Sequence, residues 1–182
     1  MSLTTTAEVR GIGLRGNEQV FVRRDSTDDP LAVVPDDVLE NALVVSTRGW
    51  PDEIETHVAD AGLDQERVTV VPVTGSRVRY DGPLDVRGRV GPNDLTGLGV
   101  RITEFIEAAP EGFLLFVDNI NLFLMYADHD RVYRFFDSIL GRTRTAGGQG
   151  LYLSVADAIA DETEERFHQL CDRVVDAHQR PA

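Results

Sequence analysis

The chain contains no lysine; all eighteen of its basic residues are arginine. That excludes every site built on an ammonium group, including the phosphate-loop lysine, the Schiff-base lysine and the strand lysine of protein kinases. Cysteine is almost as scarce. Cys171 stands alone, so neither an intrachain disulfide nor a thiolate metal cluster can form. The four histidines, His57, His129, His168 and His178, are scattered without metal-ligand spacing, and a metal site is not expected. Apolar runs stay well short of the roughly 20 residues that cross a bilayer. Residues 1–6 show neither the basic nor the apolar part of a signal peptide. The expectation is a cytoplasmic protein with no membrane partner. Positive charge is also in short supply: the formal net charge is −13. Nucleic acid is therefore a poor partner, because phosphate contacts need clustered cations.

What is present reads as one domain over residues 1–182, a length that buries roughly 70% of the unfolded surface. Short apolar runs, several closed by a polar residue, recur at 19–22, 42–46, 68–73, 113–117, 150–155 and 173–177. Burial on both faces of such runs suits parallel strands. Helical patterns alternate with them. Pro51 opens a helix with Asp52 and Glu53 in its first turn, which Gly62 stops, and Trp50 is expected to pack on that turn. Leu95, Leu98, Ile102, Phe105 and Ile106 form one amphipathic stripe, and Val132, Phe135, Phe136, Ile139 and Leu140 form another. A further acid-headed helix begins at Asp161. The pattern predicts an α/β fold: three layers, with a mainly parallel sheet flanked by helices.

Three stretches stand apart from this alternation. Gly11-Ile12-Gly13-Leu14-Arg15-Gly16 fits a dinucleotide fingerprint in spacing but precedes its strand instead of following it. The leader, residues 1–17, is therefore expected to be flexible or an edge hairpin. Residues 74–92 read as a long loop with a short hairpin, and carry Arg77, Arg79, Arg87 and Arg89. Those arginines are either solvated and paired with nearby acids or an anion or partner site. The third stretch is the run from Leu114 to Val117, which ends in Asp118-Asn119. In open α/β sheets the carboxyl ends of strands face the ligand crevice, and an acid there can hold Mg²⁺ in an ATPase.

Leu114-Leu115-Phe116-Val117-Asp118-Asn119, Met125-Tyr126-Ala127-Asp128, Arg131-Val132-Tyr133-Arg134-Phe135 and Thr145-Ala146-Gly147 together carry a family resemblance. With residues 93–109 and 157–175, they resemble the RecA-superfamily core of KaiC-like proteins. Within that group the chain is similar to short haloarchaeal proteins, in keeping with an acidic surface that a salt-rich cytosol screens. The resemblance implies a RecA-like P-loop NTPase core in which Asp118 ends the Walker B strand. It also implies where ATP and Mg²⁺ would sit, with Asp118, Asn119, Thr47 and Arg48 as the remaining nucleotide-binding candidates.

The departures weigh against activity. An active member follows its first strand with a Gly-rich loop ending in Gly-Lys-Ser/Thr. Here the matching loop is Asp25-Ser26-Thr27-Asp28-Asp29, without glycine or lysine. Catalytic glutamates after the second strand are replaced by Ser46-Thr47-Arg48-Gly49, and an arginine cannot act as a general base. The expectation is a degenerate domain with no catalytic residue and no cofactor. It would act as a regulatory or protein-interaction module in signalling or regulation, binding a protein partner or a further copy of itself. A nucleotide-binding sensor without hydrolysis is the alternative. An enzyme of other chemistry, through Ser46, Ser154 or Cys171, is less favoured, because no nucleophile elbow surrounds these residues. Asp118, if buried, needs a partner, and Asn119 or an arginine is expected to supply it.

Overall fold

The computed structural model describes residues 4–5, 11–48 and 50–177. Eight strands form one sheet in the order β1-β8-β2-β7-β6-β3-β4-β5, and every neighbouring pair is parallel. They are β1 (Thr4–Thr5), β2 (Gln19–Arg24), β3 (Ala42–Ser46), β4 (Val68–Pro72), β5 (Asp85–Val86), β6 (Leu114–Val117), β7 (Gln149–Val155) and β8 (Arg173–Asp176). Five α-helices connect them: α1 (Pro51–Asp60), α2 (Leu95–Ala108), α3 (Asn121–Tyr126), α4 (His129–Thr145) and α5 (Asp161–Leu170). Short 3-10 helices occupy Pro30–Val33, Asp36–Asn41 and Gln65–Arg67.

The strands are apolar on both faces because the sheet is covered on both. Phe21, Leu43, Val45, Leu115, Val117 and Tyr152 pack under α2, α3, α4 and α5. The alternate residues Val20, Val22, Val44, Phe116, Leu151 and Leu153 pack with α1 and the 3-10 segments. This alternation follows the two-residue period of a strand. The two faces are unequally clad: four α-helices on one, a single α-helix and 3-10 turns on the other. The expected three-layer α/β architecture is present, and its sheet is parallel throughout.

The helix ends follow local chemistry. Asp94 accepts from Gly97 N–H to cap α2, and Asp128 accepts from Arg131 N–H to cap α4. Gly147 takes a φ of 76° just past α4, where a left-handed residue turns the chain back toward β7. At the other end of the sheet Gln19 is wholly buried, donating to the Asn17 and Gly148 carbonyls and accepting from Tyr152 Oη at 2.7 Å.

Three expectations need correction. The leader forms no hairpin among its described residues: Thr4–Thr5 pair parallel with β8, and Gly11 and Ile12 donate to the carbonyls of Ala32 and Val33. Ile12 is buried there, so its apolar side chain closes the thinly clad face. The stretch 74–92 contains no hairpin either. It runs along β4 as an irregular edge, pairing through β5 and again at Val73 with Val90, both parallel. Tyr80 clamps it by donating to Glu55 Oε2 at 2.7 Å and accepting from Leu84 N–H. Finally, Trp50 is 62% exposed instead of packing on the first turn of α1.

Candidate functional site

The carboxyl ends of β2, β3 and β6 bring together Arg24, Ser46, Thr47 and Asp118, all facing or bordering the thinly clad side. Asp118 follows β6 directly and is 5% exposed. Its partner is neither Asn119 nor an arginine, as expected from sequence, but Thr47. The Thr47 backbone N–H donates to Oδ1 at 3.0 Å and Oδ2 at 3.2 Å, and the Thr47 hydroxyl donates to Oδ1 at 2.7 Å. Asn119 turns away: its Oδ1 accepts from Asn121 N–H at 3.0 Å and opens α3. Asn121 in turn accepts from Val155 N–H at 2.8 Å, tying α3 to the end of β7. Arg48 is exposed and lies 3.6 Å from Glu53 on α1. Of the four candidates, therefore, Thr47 and Asp118 form a contact pair, Arg48 borders the same space without bonding to the acid, and Asn119 turns away.

Burial drives the Asp118 carboxyl above the usual carboxylate range, against the opposing pull of the Thr47 hydrogen bonds and the charges of Arg24 and Arg48. Arg24 is the residue that sequence reasoning missed. It is 6% exposed, and its Nη1 donates to the carbonyls of Asp25 at 2.9 Å and Asp28 at 3.1 Å. Burial lowers its pKa, with Asp118 the largest opposing influence. Because β7 separates β2 from β6, the two groups stand about two strand spacings, roughly 10 Å, apart. The available signal was the pair Arg23-Arg24 at the end of an apolar strand, since consecutive strand residues must face opposite sides of the sheet.

Arg23 takes the other side. Its Nη1 donates to Asp176 Oδ2 at 3.0 Å, and its Nε lies 2.6 Å from Glu164 Oε1, off the line that a hydrogen bond needs. Glu164 is buried, and His168 approaches the same oxygen at 3.2 Å. This network fastens α5 to β2 and β8.

The loop after β2 is closed on itself. Asp28 N–H donates to the Asp25 carbonyl, and Arg24 grips the turn from within. Asp29 Oδ1 accepts from Leu31 N–H at 3.0 Å, capping the 3-10 helix that follows. The N–H groups of Asp28, Leu31 and Ala32 are thus engaged by the chain's own carboxylate and carbonyls instead of being offered to a phosphate. The space beside Asp118 is lined by Asp29, Pro30, Ser46, Arg48, Trp50 and Ile54 among others, and its volume is about 20 Å³. That is room for about one water, which needs roughly 10–15 Å³. Small-molecule pockets run to roughly 300–1,000 Å³. Among the described residues no group of three or more His, Cys, Asp or Glu side chains is arranged to hold a metal ion. The residues present do not fit a magnesium triphosphate.

The fold and site define an all-parallel α/β protein whose strand-end crevice is filled by its own side chains. The chain belongs to the family of unknown function DUF7504, whose model matches residues 14–177. No curated protein matched it. Among solved structures it is similar to protein PH0250 from Pyrococcus horikoshii, with a TM-score of 0.61 and 15% identity over 90% of this chain and 83% of the other. It is also similar to the uncharacterized protein PH0321 of the same organism, with a TM-score of 0.58 and 9% identity over 90% and 78% of the two chains. At such identity the likeness establishes the shared fold. No helix among the described residues is long and apolar enough to cross a membrane.

Proposed function

We propose that the chain is a non-catalytic RecA/KaiC-like module that binds a protein partner and no longer binds or hydrolyses ATP. The observation that carries this reading is the Asp118–Thr47 pair beside a cavity of about 20 Å³. The acid that would hold Mg²⁺ is instead engaged by two donors of the neighbouring strand end. The absence of lysine and the three aspartates of the loop after β2 point the same way. PH0321 is described as being in complex with an unknown peptide, and a peptide or protein ligand is the kind this reading requires.

The test is the melting temperature of the purified chain in molar KCl with ATP, ADP and GTP, each with and without Mg²⁺. A ligand at a hundredfold excess over its Kd would stabilise the folded state by about 2.7 kcal/mol. The expected result is no shift. A Mg²⁺-dependent rise that Asp118→Asn removes would overturn the proposal in favour of a nucleotide sensor.

A further inference from the structure

Helices α2 and α4 pack side by side, and an open trough runs along their outer surface. Its two adjoining parts have volumes of about 440 and 580 Å³ and share Thr103, Ser138 and Arg142. On α2 the lining extends from Leu95 to Glu107, roughly 18 Å at ~1.5 Å per residue. Val100 is 48% exposed in it, and Ile106 and Phe135 are half-buried.

One glycine on this surface, Gly141, makes room for nothing inside the molecule. Gly141 lies within α4, where alanine would be the better helix former, yet a Cβ there would meet nothing within 4 Å. At Gly99 the nearest atom to an added Cβ would be Phe135 Cε2, at 3.4 Å. Gly97 is different, because a Cβ there would crowd the Asp94 carboxylate that caps α2. Gly99 likewise differs, since it makes room for Phe135, but the missing ridge at 141 lets a third helix approach closely.

Charge indicates what that helix is. Glu104, Glu107 and Asp137 line the trough against one cation, Arg142, whose Nη1 donates to Thr103 Oγ1 at 3.0 Å. We infer that this trough binds a basic amphipathic helix from a protein partner, about twelve residues long at ~1.5 Å per residue. Its apolar stripe covers Val100, Ile106 and Phe135, and its basic flanks face Glu104, Glu107 and Asp137. The inference rests on the interaction-module reading and gives it a surface.

The test uses the full chain and a fluorescein-labelled peptide of about twelve residues, with leucines at three- and four-residue steps and lysines elsewhere. Fluorescence anisotropy is followed at two KCl concentrations. Saturable binding that weakens with salt is expected. Gly141→Trp, which fills the trough, and Val100→Lys, which is exposed, leaves the core untouched and repels a basic helix, should each weaken it at least tenfold. Glu162→Lys on α5 alters the net charge elsewhere and should leave binding unchanged. Equal binding by Val100→Lys, or by a peptide with the same lysines but no leucine stripe, would overturn the inference. So would sedimentation showing a dimer that Gly141→Trp separates, which would make a second copy the occupant. Failure is separable from that of the proposed function: stabilisation by nucleotide overturns the module reading, whereas an unfilled trough on a nucleotide-indifferent chain overturns the trough alone.

Discussion

At the scale of single residues, Asp118 shows how a buried acid is kept by a neighbour 71 positions away. Thr47 supplies both a backbone and a hydroxyl donor, so removing the acceptors leaves those donors without partners. Asp118→Ala should therefore lower stability by about 1–3 kcal/mol in urea denaturation. Asp118→Asn keeps one acceptor and sheds the charge, and it should match or exceed the wild type at neutral pH. The sign follows from the raised pKa: the folded state holds this proton more tightly than the unfolded state. The acid's contribution is fully present below the ordinary carboxylate range, near 3.9, and is lost as pH rises through the folded value. The advantage of Asp118→Asn over wild type should thus grow as pH is raised across that window. Glu164 is a different case, since it is buried against Arg23. Glu164→Ala leaves Arg23 with Asp176 and Asp157 as its remaining partners, and a loss of about 1–3 kcal/mol is expected from the same measurement.

At the scale of elements, the long helices could be read from the 3.6-residue period that one-sided burial imposes on α2 and α4, and the central strands from short apolar runs, because β2 and β7 are buried on both faces. The irregular pieces could not. β5 spans two residues, Asp85–Val86, too few for any alternation, and its pairing depends on a backbone path that side chains do not encode. The 3-10 turn at Pro30–Val33 likewise carries too few residues for a stripe. The site divides in the same way. Asp118 was marked by its place at the end of an apolar run, but its bond to Thr47 is a tertiary fact. Tyr80 holds the 74–92 edge, and burial with the Glu55 hydrogen bond pushes its pKa up to about 12. Tyr80→Phe removes two hydrogen bonds and should cost about 1–3 kcal/mol. Amide exchange at Leu84 should speed up accordingly. Gly141→Ala acts in the opposite direction. With nothing near the new Cβ, helix propensity alone should raise stability by about 0.8–1.0 kcal/mol in thermal or urea unfolding.

At the scale of the whole molecule, a net charge of −13 sets the conditions under which these differences can be read. Self-repulsion favours expansion, and salt shortens its reach from about 10 Å at 0.1 M to about 3 Å at 1 M. The melting temperature should climb steeply with KCl, and a flat response would mean that local pairs such as Arg166–Asp130 and Arg144–Asp172 already offset the repulsion. The sheet order carries one more consequence, for the chain as it is made. Among the described residues β2 pairs with β7 and β8 alone, so its partners are synthesised long after it. At ~5–20 residues per second, the interval from Arg24 to Gln149 lasts roughly 6–25 s on the ribosome. Throughout it, Val20-Phe21-Val22 has no native strand beside it, and an unpaired apolar strand of this kind is the surface a chaperone covers, here until β7 and β8 emerge.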